Sequence, residues 1–256
     1  MHPLHRHTVV FEQRVRAEMA TRVEPLPFGT VVITADLPDV YDHNLVQVDA
    51  AVSADVVLAA VEEAAKRHGW DHRGVDVADA AIAAPLAAAF RSAGYATDRL
   101  VTMALVAAPQ DHGSREHLEA AALVDVGAHR QLARALVAEQ SSVTSERVLD
   151  QFDERERRLA RHAGARAVVA PPTDPVSRCV LLTDGEIVEI DAVATLSRHR
   201  GHGWSNAVMR RAIATAGRRQ VVLIADEGDW PAQWYARLGF RAVGRSVSFR
   251  RWPEDR

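Results

Sequence analysis

A short glycine-containing loop carries the clearest chemical signal in the sequence. Arg198, Gly201 and Gly203 follow a β-branched run ending at Thr195 and precede a segment with helical periodicity. Backbone N–H groups of a strand-to-helix loop can converge in front of a helix N-terminus, where they bind phosphate. Glycine suits this role because a Cβ would keep a diphosphate away and because a tight turn can require positive φ. The loop predicts an anion site, although an ordinary turn also fits Gly-x-Gly taken alone.

The C-terminal half alternates strands and helices in an order that positions this loop. A helix capped by Ser205 is predicted to end at Gly217, since Met209, Ala212, Ile213 and Ala216 repeat at helical spacing. A second helix runs from Pro231 to Gly239. Segment 145–166 alternates Glu and Arg and predicts an exposed helix. Strands are predicted at 167–170, 178–182, 186–195, 221–225 and 241–251.

The N-terminal half repeats a shorter version of this order. Strands are predicted at 45–50, 75–77 and 99–106, with helices at 55–68 and 85–93. Segment 88–95 matches 233–240 at one constant offset, 239 − 94 = 145, so that helix, glycine and aromatic residue coincide. Such a repeat predicts two similar domains, 1–110 and 111–256, joined near 109–113.

Two motifs of the C-terminal half together resemble a known family. Segment 193–203 is similar to the acetyl-CoA signature of the Gcn5-related N-acetyltransferases, in which Gln or Arg stands three residues before the first glycine. Segment 234–240 resembles that family's helix carrying a tyrosine and closing with Leu-Gly-Phe. The match covers about 130–252, and the first half resembles a degenerate copy, as in tandem members. The resemblance implies an α/β (α+β) fold of two domains, each with a mixed, mostly antiparallel sheet flanked by helices.

This resemblance implies acetyl-CoA as co-substrate and assigns roles to individual residues. The backbone of Val193 and Thr195 would pair with the pantetheine arm, and an N–H near Val193 would polarise the thioester carbonyl. Tyr235 would protonate the departing thiolate, since a phenol and a thiol have ordinary pKa values of about 10 and 8.5; it could equally be a core aromatic. The cofactor-binding set is Val193, Ala194, Thr195, Arg198, His199, Arg200, Gly201, His202, Gly203, Trp204, Ser205, Asp229, Trp230 and Tyr235.

Two carboxylates on the strand before the loop are candidates for the general base. An amine must lose its proton before it attacks, which calls for a base or a water relay. By period-two alternation Glu189 and Asp191 share a face with Val193 and could reach the acceptor side. A sheet-edge charge or a turn partner explains either residue equally well.

The N-terminal copy lacks the features that carry this chemistry. Its connection 51–53 contains no glycine, and Phe90 stands where the other copy has Tyr235. We therefore expect this half not to turn over acetyl-CoA. We expect it instead to wall the acceptor cleft and complete the core.

Composition limits the partners and the compartment. The chain has 31 Lys+Arg against 34 Asp+Glu, a net charge of -3, which gives no field for nucleic acid or an anionic membrane. A single cysteine, Cys179, excludes an intramolecular disulfide and fits a reducing cytoplasm. No signal peptide or membrane span is expected. His199 and His202 flank the glycines without a nearby Cys or carboxylate, so no metal is expected.

The sequence thus predicts a cytoplasmic, acetyl-CoA-dependent N-acetyltransferase. Its acceptor would be a primary amine on a small molecule or a peptide, acetylated by direct attack, and the protein would be a monomer or a homodimer. Two alternatives remain open. One is a non-catalytic acyl-CoA-binding sensor or scaffold, and the other an acetyltransferase similar to mycothiol synthase.

Overall fold

The computed structural model describes residues 1–107, 119–141 and 145–253. The chain divides into two compact units. The first unit contains Met1–Thr102, Ala225–Gln233 and Ala242–Arg256, and the second contains Met103–Ile224 and Trp234–Arg241. The predicted joint at 109–113 lies outside the described residues, so the predicted division at residue 110 stays a prediction.

Helices and strands of the N-terminal repeat begin close to the first residue. The helices are α1 (Pro3–Met19), α2 (Ala54–His68), α3 (Ala80–Ala83) and α4 (Ala87–Ser92). The strands are β1 (Arg22–Leu26), β2 (Gly29–Ile33), β3 (Leu45–Val48), β4 (Arg73–Val77) and β5 (Ala96–Leu105). Strands β1, β2 and β3 pair antiparallel, whereas β3 and β4 pair parallel.

The C-terminal repeat has the same kinds of elements in the same order. Its helices are α5 (Arg130–Ser141), α6 (Glu146–His162), α7 (Trp204–Ala216) and α8 (Trp230–Arg237). Its strands are β6 (Ala122–Asp125), β7 (Arg166–Ala170), β8 (Ser177–Thr183), β9 (Ile187–Thr195), β10 (Gln220–Asp226) and β11 (Phe240–Arg251). Strands β6 to β9 pair antiparallel, and β9 pairs parallel with β10.

The internal repeat is visible in this order of elements. The series α1-β1-β2-β3-α2-β4-α4-β5 corresponds to α6-β7-β8-β9-α7-β10-α8-β11, with short α3 as an addition in the first series. In both series the parallel pair is joined by a helix. The predicted α/β architecture of two related domains, each with a mixed sheet and flanking helices, is confirmed.

The last strand of each repeat lies beside a strand of the other repeat. In the first unit β11 pairs antiparallel with β4, from Val247 opposite Val77 to Arg251 opposite Arg73. Strand β5 is the strand next to β10, and within the second unit Gln220 Nε2 donates to Leu105 O at 3.0 Å. The first unit therefore combines residues from both ends of the chain.

Helix α7 packs the second unit through the face that its spacing predicts. Met209, Ala212, Ile213 and Ala216 are all buried. The prediction that Ser205 caps this helix is wrong, because the N-cap is Gly203 with φ 81° and no side chain bonds the cap. The helix predicted within 145–166 is α6, which buries Leu149 and Leu159 rather than lying fully exposed. No helix of the described residues combines the length and apolar character needed to cross a membrane.

Candidate functional site

Strand β9 contains a bulge shortly before the glycine loop. Val180 of β8 lies opposite Asp191 and Arg178 lies opposite Ala194, so that residues 192 and 193 together face Cys179. Ala192 has φ 50°, a conformation that an alanine seldom adopts. An extra residue of this kind bends its strand and increases the local twist.

Strand β9 parts from β10 in the same region. Their parallel register covers Ile187 to Glu189 against Gln220 to Val222, whereas both strands continue beyond it. On the opposite side, Leu196 N donates to Val176 O at 2.9 Å. Because backbone groups alternate between the two sides of a strand, those of Thr195 point away from β8. The end of β9 thus presents an open edge of the kind to which an extended chain can hydrogen-bond.

The loop after β9 ends at a helix N-terminus without a side-chain cap. A 3-10 turn (Ser197–His199) is followed by Gly201 with φ 80° and Gly203 with φ 81°. A Cβ at either glycine would meet no atom within 4 Å, so backbone conformation rather than crowding requires glycine. The first turn of α7 carries no acidic residue. Its N–H groups can therefore serve an external anion.

Side chains of the loop hold its backbone in place. Glu139 of α5 accepts a hydrogen bond from Ser197 N at 2.8 Å. Arg200 Nε donates to Thr195 O at 3.2 Å, and Arg198 Nε donates to His199 Nε2 at 3.0 Å. His202 Nδ1 lies 2.9 Å from Arg200 O. The two loop histidines thus have hydrogen-bonding roles, and no group of three or more His, Cys, Asp or Glu side chains within the described ranges could hold a metal ion.

Ser205 makes its side-chain contact with the strand rather than with its own helix. Its Oγ lies 2.7 Å from Thr195 Oγ1, and Thr195 Oγ1 donates to Ser177 Oγ at 2.8 Å. Trp204 packs with Ala194 in a cluster built on Leu132, Leu136, Val176 and Leu196. Through these contacts Thr195 and Trp204 stabilise the two ends of the loop.

Tyr235 lies in the second unit near the bulge. Its side chain is 7% exposed and contacts the rings of Trp234 and Phe240. Burial raises the pKa of Tyr235 above the ordinary phenol value, and the nearby negative charge of Asp191 raises it further. The Tyr235 hydroxyl is thus a protonated donor held near the bulge.

Trp234, which the sequence analysis did not assign to the site, links the helix of Tyr235 to the loop. Its Nε1 donates to Asn206 Oδ1 in the first turn of α7 at 3.0 Å. This bond connects α8 with the helix that begins at Gly203. Nothing in the types or spacing of Trp234 and Asn206 marks them as partners.

Cys179 lies opposite the bulge but is not a nucleophile. The side chain is fully buried. Burial raises the pKa of its thiol to about 12, so it carries no thiolate at neutral pH. The nearest cysteine to the bulge therefore offers no route to a covalent acyl-enzyme.

The two candidate bases lie on one face of β9, and Val193 lies on the other. Glu189, Asp191 and Ala194 are opposite Leu182, Val180 and Arg178, which alternate along one face of β8. The expectation that Val193 shares this face is wrong, because the bulge inserts a residue and reverses the alternation.

The surroundings of the two carboxylates differ. Glu189 is 3% exposed and lies within the paired part of β9. The side chain of Asp191 is 38% exposed, accepts from Ala192 N at 2.7 Å and lies 3.7 Å from Arg155 Nη2 of α6. Asp191 is therefore the one of the two with access to solvent.

Asp229 and Trp230 fall in the segment that belongs to the first unit. Asp229 Oδ1 accepts from Trp230 N at 2.7 Å, and Trp230 is 63% exposed. Their predicted contact with acetyl-CoA stays a prediction, as do the contacts predicted for the loop residues.

Comparison with known proteins identifies the fold. No protein-family model and no curated sequence matches the chain. A GCN5-related N-acetyltransferase from Kribbella flavida is similar with a TM-score of 0.63 at 17% identity, over 97% of this chain and 95% of that one. A conserved protein of unknown function from Staphylococcus epidermidis has a TM-score of 0.66 at 14% identity, over 91% and 94% of the two chains.

A GCN5-related N-acetyltransferase from Sphaerobacter thermophilus is also similar, with a TM-score of 0.52 at 18% identity over 77% of this chain and 67% of that one. The chain therefore has the fold of the GCN5-related N-acetyltransferases. At these identities the likeness is one of fold, and the chemistry has to be argued from the site.

Proposed function

We propose that the second unit transfers the acetyl group of acetyl-CoA to a primary amine on a small molecule or a peptide. The observation that carries the proposal is the bulge in β9. It opens a strand edge directly before a glycine loop and an uncapped helix N-terminus, with the Tyr235 phenol nearby. These are the parts that an extended, diphosphate-bearing thioester needs.

Each part of the second unit has a role in binding. The N–H groups at the start of α7 would bind the diphosphate, and Gly201 and Gly203 leave it room to approach. Exposed Arg198 and Arg200 add positive charge beside it. The backbone of Val193 and Thr195 would bind the pantetheine arm as a neighbouring strand does, with the Thr195 carbonyl also accepting from Arg200 Nε.

The proposed reaction is a direct attack on the thioester carbonyl. The amine nitrogen forms the new C–N bond while the C–S bond breaks, and an N–H near Val193 stabilises the oxygen charge. The proton lost by the amine passes to a base or to water, and Tyr235 donates its proton to the departing thiolate and regains one from solvent before the next turnover. The raised pKa of Tyr235 keeps the donor protonated but widens its gap to a thiol beyond that of an ordinary phenol. Tyr235 would thus donate a hydrogen bond to the sulfur before its proton is transferred.

Solvent access favours Asp191 over Glu189 as the base. A base must return its proton to water after each turnover, and the half-exposed Asp191 at the bulge can do so directly. Glu189 would need a relay through its buried surroundings.

Calorimetric titration with acetyl-CoA tests the binding step. Gly203→Ala places a methyl group in the open space before α7 and should weaken binding roughly tenfold or more. Gly217→Ala is the matched control, because Gly217 also has positive φ and open surroundings but ends the same helix. Equal losses in both variants, or no binding by the unaltered protein, would overturn the proposal.

Release of CoA across a panel of amines tests the transfer step. We expect at least one amino acid, polyamine, aminoglycoside or peptide N-terminus to release CoA faster than hydrolysis does. Tight binding of acetyl-CoA without release by any amine would instead indicate the non-catalytic sensor or scaffold.

A further inference from the structure

Three hydroxyl groups connect the end of β9 to the beginning of α7. Ser205 Oγ lies 2.7 Å from Thr195 Oγ1, which lies 2.8 Å from Ser177 Oγ of β8. Ser177 Oγ lies 3.0 Å from Ala194 O. The row therefore starts in the first turn of α7, crosses β9 to β8 and returns to β9 just after the bulge.

The hydrogen-bond direction along this row is fixed at one end. A carbonyl oxygen can only accept, so Ser177 must donate its single proton to Ala194 O. Ser177 then accepts the proton of Thr195. Because the Thr195 proton is used, Ser205 must donate to Thr195. All three protons are committed, and Ser205 has none left for a phosphate oxygen.

Burial makes these bonds costly to replace. Ser177 is fully buried and Thr195 is 7% exposed, so water cannot easily take the place of a missing partner. A buried hydroxyl without a partner costs more than the bond contributed when intact. Removing any one member should therefore disturb the others.

We propose that Ser205 is a positioning residue and not a ligand of the acyl-CoA phosphates. The row of Ser177, Thr195 and Ser205 locks the open edge of β9 against the helix N-terminus, so the two halves of the binding site have one fixed geometry before acetyl-CoA arrives. This inference rests on the proposed function, and it replaces the direct contact that the family resemblance implied for Ser205.

The N-terminal repeat supports this assignment by contrast. Its strand β3 reads Leu-Val-Gln-Val and α2 begins Ala-Asp-Val after the N-cap Ser53, so neither β3 nor the first turn of α2 supplies a hydroxyl. The repeat that lacks the glycine loop thus also lacks the hydroxyl row. A merely structural requirement of the fold would be expected in both repeats.

A double-mutant cycle tests the row. The variants are Ser205→Ala, Thr195→Val and the pair, with Thr215→Val as control, since Thr215 Oγ1 bonds only Arg211 O within α7. Each single variant should weaken acetyl-CoA binding about 3- to 10-fold. The double variant should be no weaker than the worse single variant. Ser205→Thr, which keeps the hydroxyl, should retain affinity.

The outcomes separate this inference from the proposed function. If Thr195→Val leaves the affinity unchanged while Ser205→Ala lowers it, or if the two losses add, Ser205 binds phosphate directly and the inference is wrong. Thermal unfolding without acetyl-CoA, of the unaltered protein, the two single variants and the double variant, reports the coupling of the two hydroxyls independently of binding. Coupled unfolding in a protein that fails to bind acetyl-CoA would overturn the proposed function and leave the hydroxyl row standing, whereas uncoupled unfolding would remove the row.

Discussion

The two repeats fold alike, but their central parallel strands end differently. In the first unit, β3 pairs regularly with β2, and its parallel register with β4 runs through Val48 opposite Val77, the last residue of each strand. In the second unit, β9 bulges and its register with β10 stops at Glu189. The same element order thus gives a closed pair of strands in one unit and an open strand edge in the other.

The connections that follow these strands differ in the same sense. Residues 49–53 contain no glycine, and α2 carries Asp55 in its first turn, where a negative charge repels an anion. The loop before α7 has Gly201 and Gly203 and no acidic residue in the first helical turn. The second unit thus has an open strand edge, a glycine loop and a helix N-terminus without acidic residues, and the first unit has none of the three. The comparison indicates that a binding site in this fold depends on backbone geometry before side chains.

The largest expected effect comes from removing the N-terminal repeat. Deleting residues 1–108 removes β5, the neighbour of β10 in the second unit, and exposes the edge of a buried strand. We expect insoluble protein without acetyl-CoA binding, measured by size-exclusion chromatography and titration. Co-expression with fragment 1–108 is the control and should restore soluble protein. A soluble, fully active fragment 109–256 would show that the N-terminal repeat is dispensable.

Removing one hydroxyl from each unit tests which of them does chemistry. Tyr235→Phe should lower kcat by about 10²-fold or more while leaving acetyl-CoA binding nearly unchanged, because a general acid acts in the transition state. Tyr95→Phe is the matched control in the first unit, since burial also raises the pKa of Tyr95 to about 12. Steady-state kinetics should show normal turnover for Tyr95→Phe. Equal turnover in both variants would remove Tyr235 from the mechanism.

The glycine that ends the corresponding helix in each repeat is required for different reasons. A Cβ at Gly239 would lie 1.8 Å from Ala107 O, and φ is +96°. At Gly94 φ is +82°, but the nearest atom is Arg251 Cδ at 3.8 Å. Both alanine variants carry about 1 kcal/mol of backbone strain, and Gly239→Ala should lose roughly 1–3 kcal/mol more through overpacking. Denaturant unfolding measures the difference, and equal losses would show that the backbone near Ala107 yields freely.

The sequence predicts the regular elements of the second repeat better than its site geometry. The buried face of α7 and the shared helix-glycine ending follow from spacing and local conformation. The bulge does not, because Asp191 to Val193 reads as an ordinary strand and alanine does not favour positive φ. The positions of β5 beside β10 and of β11 beside β4 are equally hard to predict, since an alternating strand fits beside either neighbour.

The sequence analysis predicts neither α1 nor β1, for a different reason. Helix α1 has a polar average composition and few apolar residues on its periodic face, and β1 contains Pro25, so the sequence signal for both elements is weak. Tertiary packing stabilises both: Phe11, Val15 and Met19 of α1 are buried, and β1 pairs with β2. The prediction of an exposed helix is wrong for α6 because its many charged residues outweigh Leu149 and Leu159, which are buried.

The smallest expected effect is a pH dependence of stability that arises from two histidines of the first unit. Burial lowers the pKa of His5 and His72, which both lie in the first unit. His5 lies 2.8 Å from Thr102 Oγ1 and 3.1 Å from Ala78 O, and His72 Nε2 donates to Asn44 O at 2.7 Å.

Below pH about 6.5 the unfolded chain binds protons at these positions that the folded chain rejects, so stability must fall as the pH falls. Between pH 7 and 5 we expect a progressive loss of stability from these two histidines, measured by denaturant unfolding. His72→Gln keeps a donor for Asn44 O and cannot titrate, so its stability should decline less steeply. An unchanged slope would mean that the folded protein accepts the proton, and that burial of His72 in the closed repeat does not exclude charge.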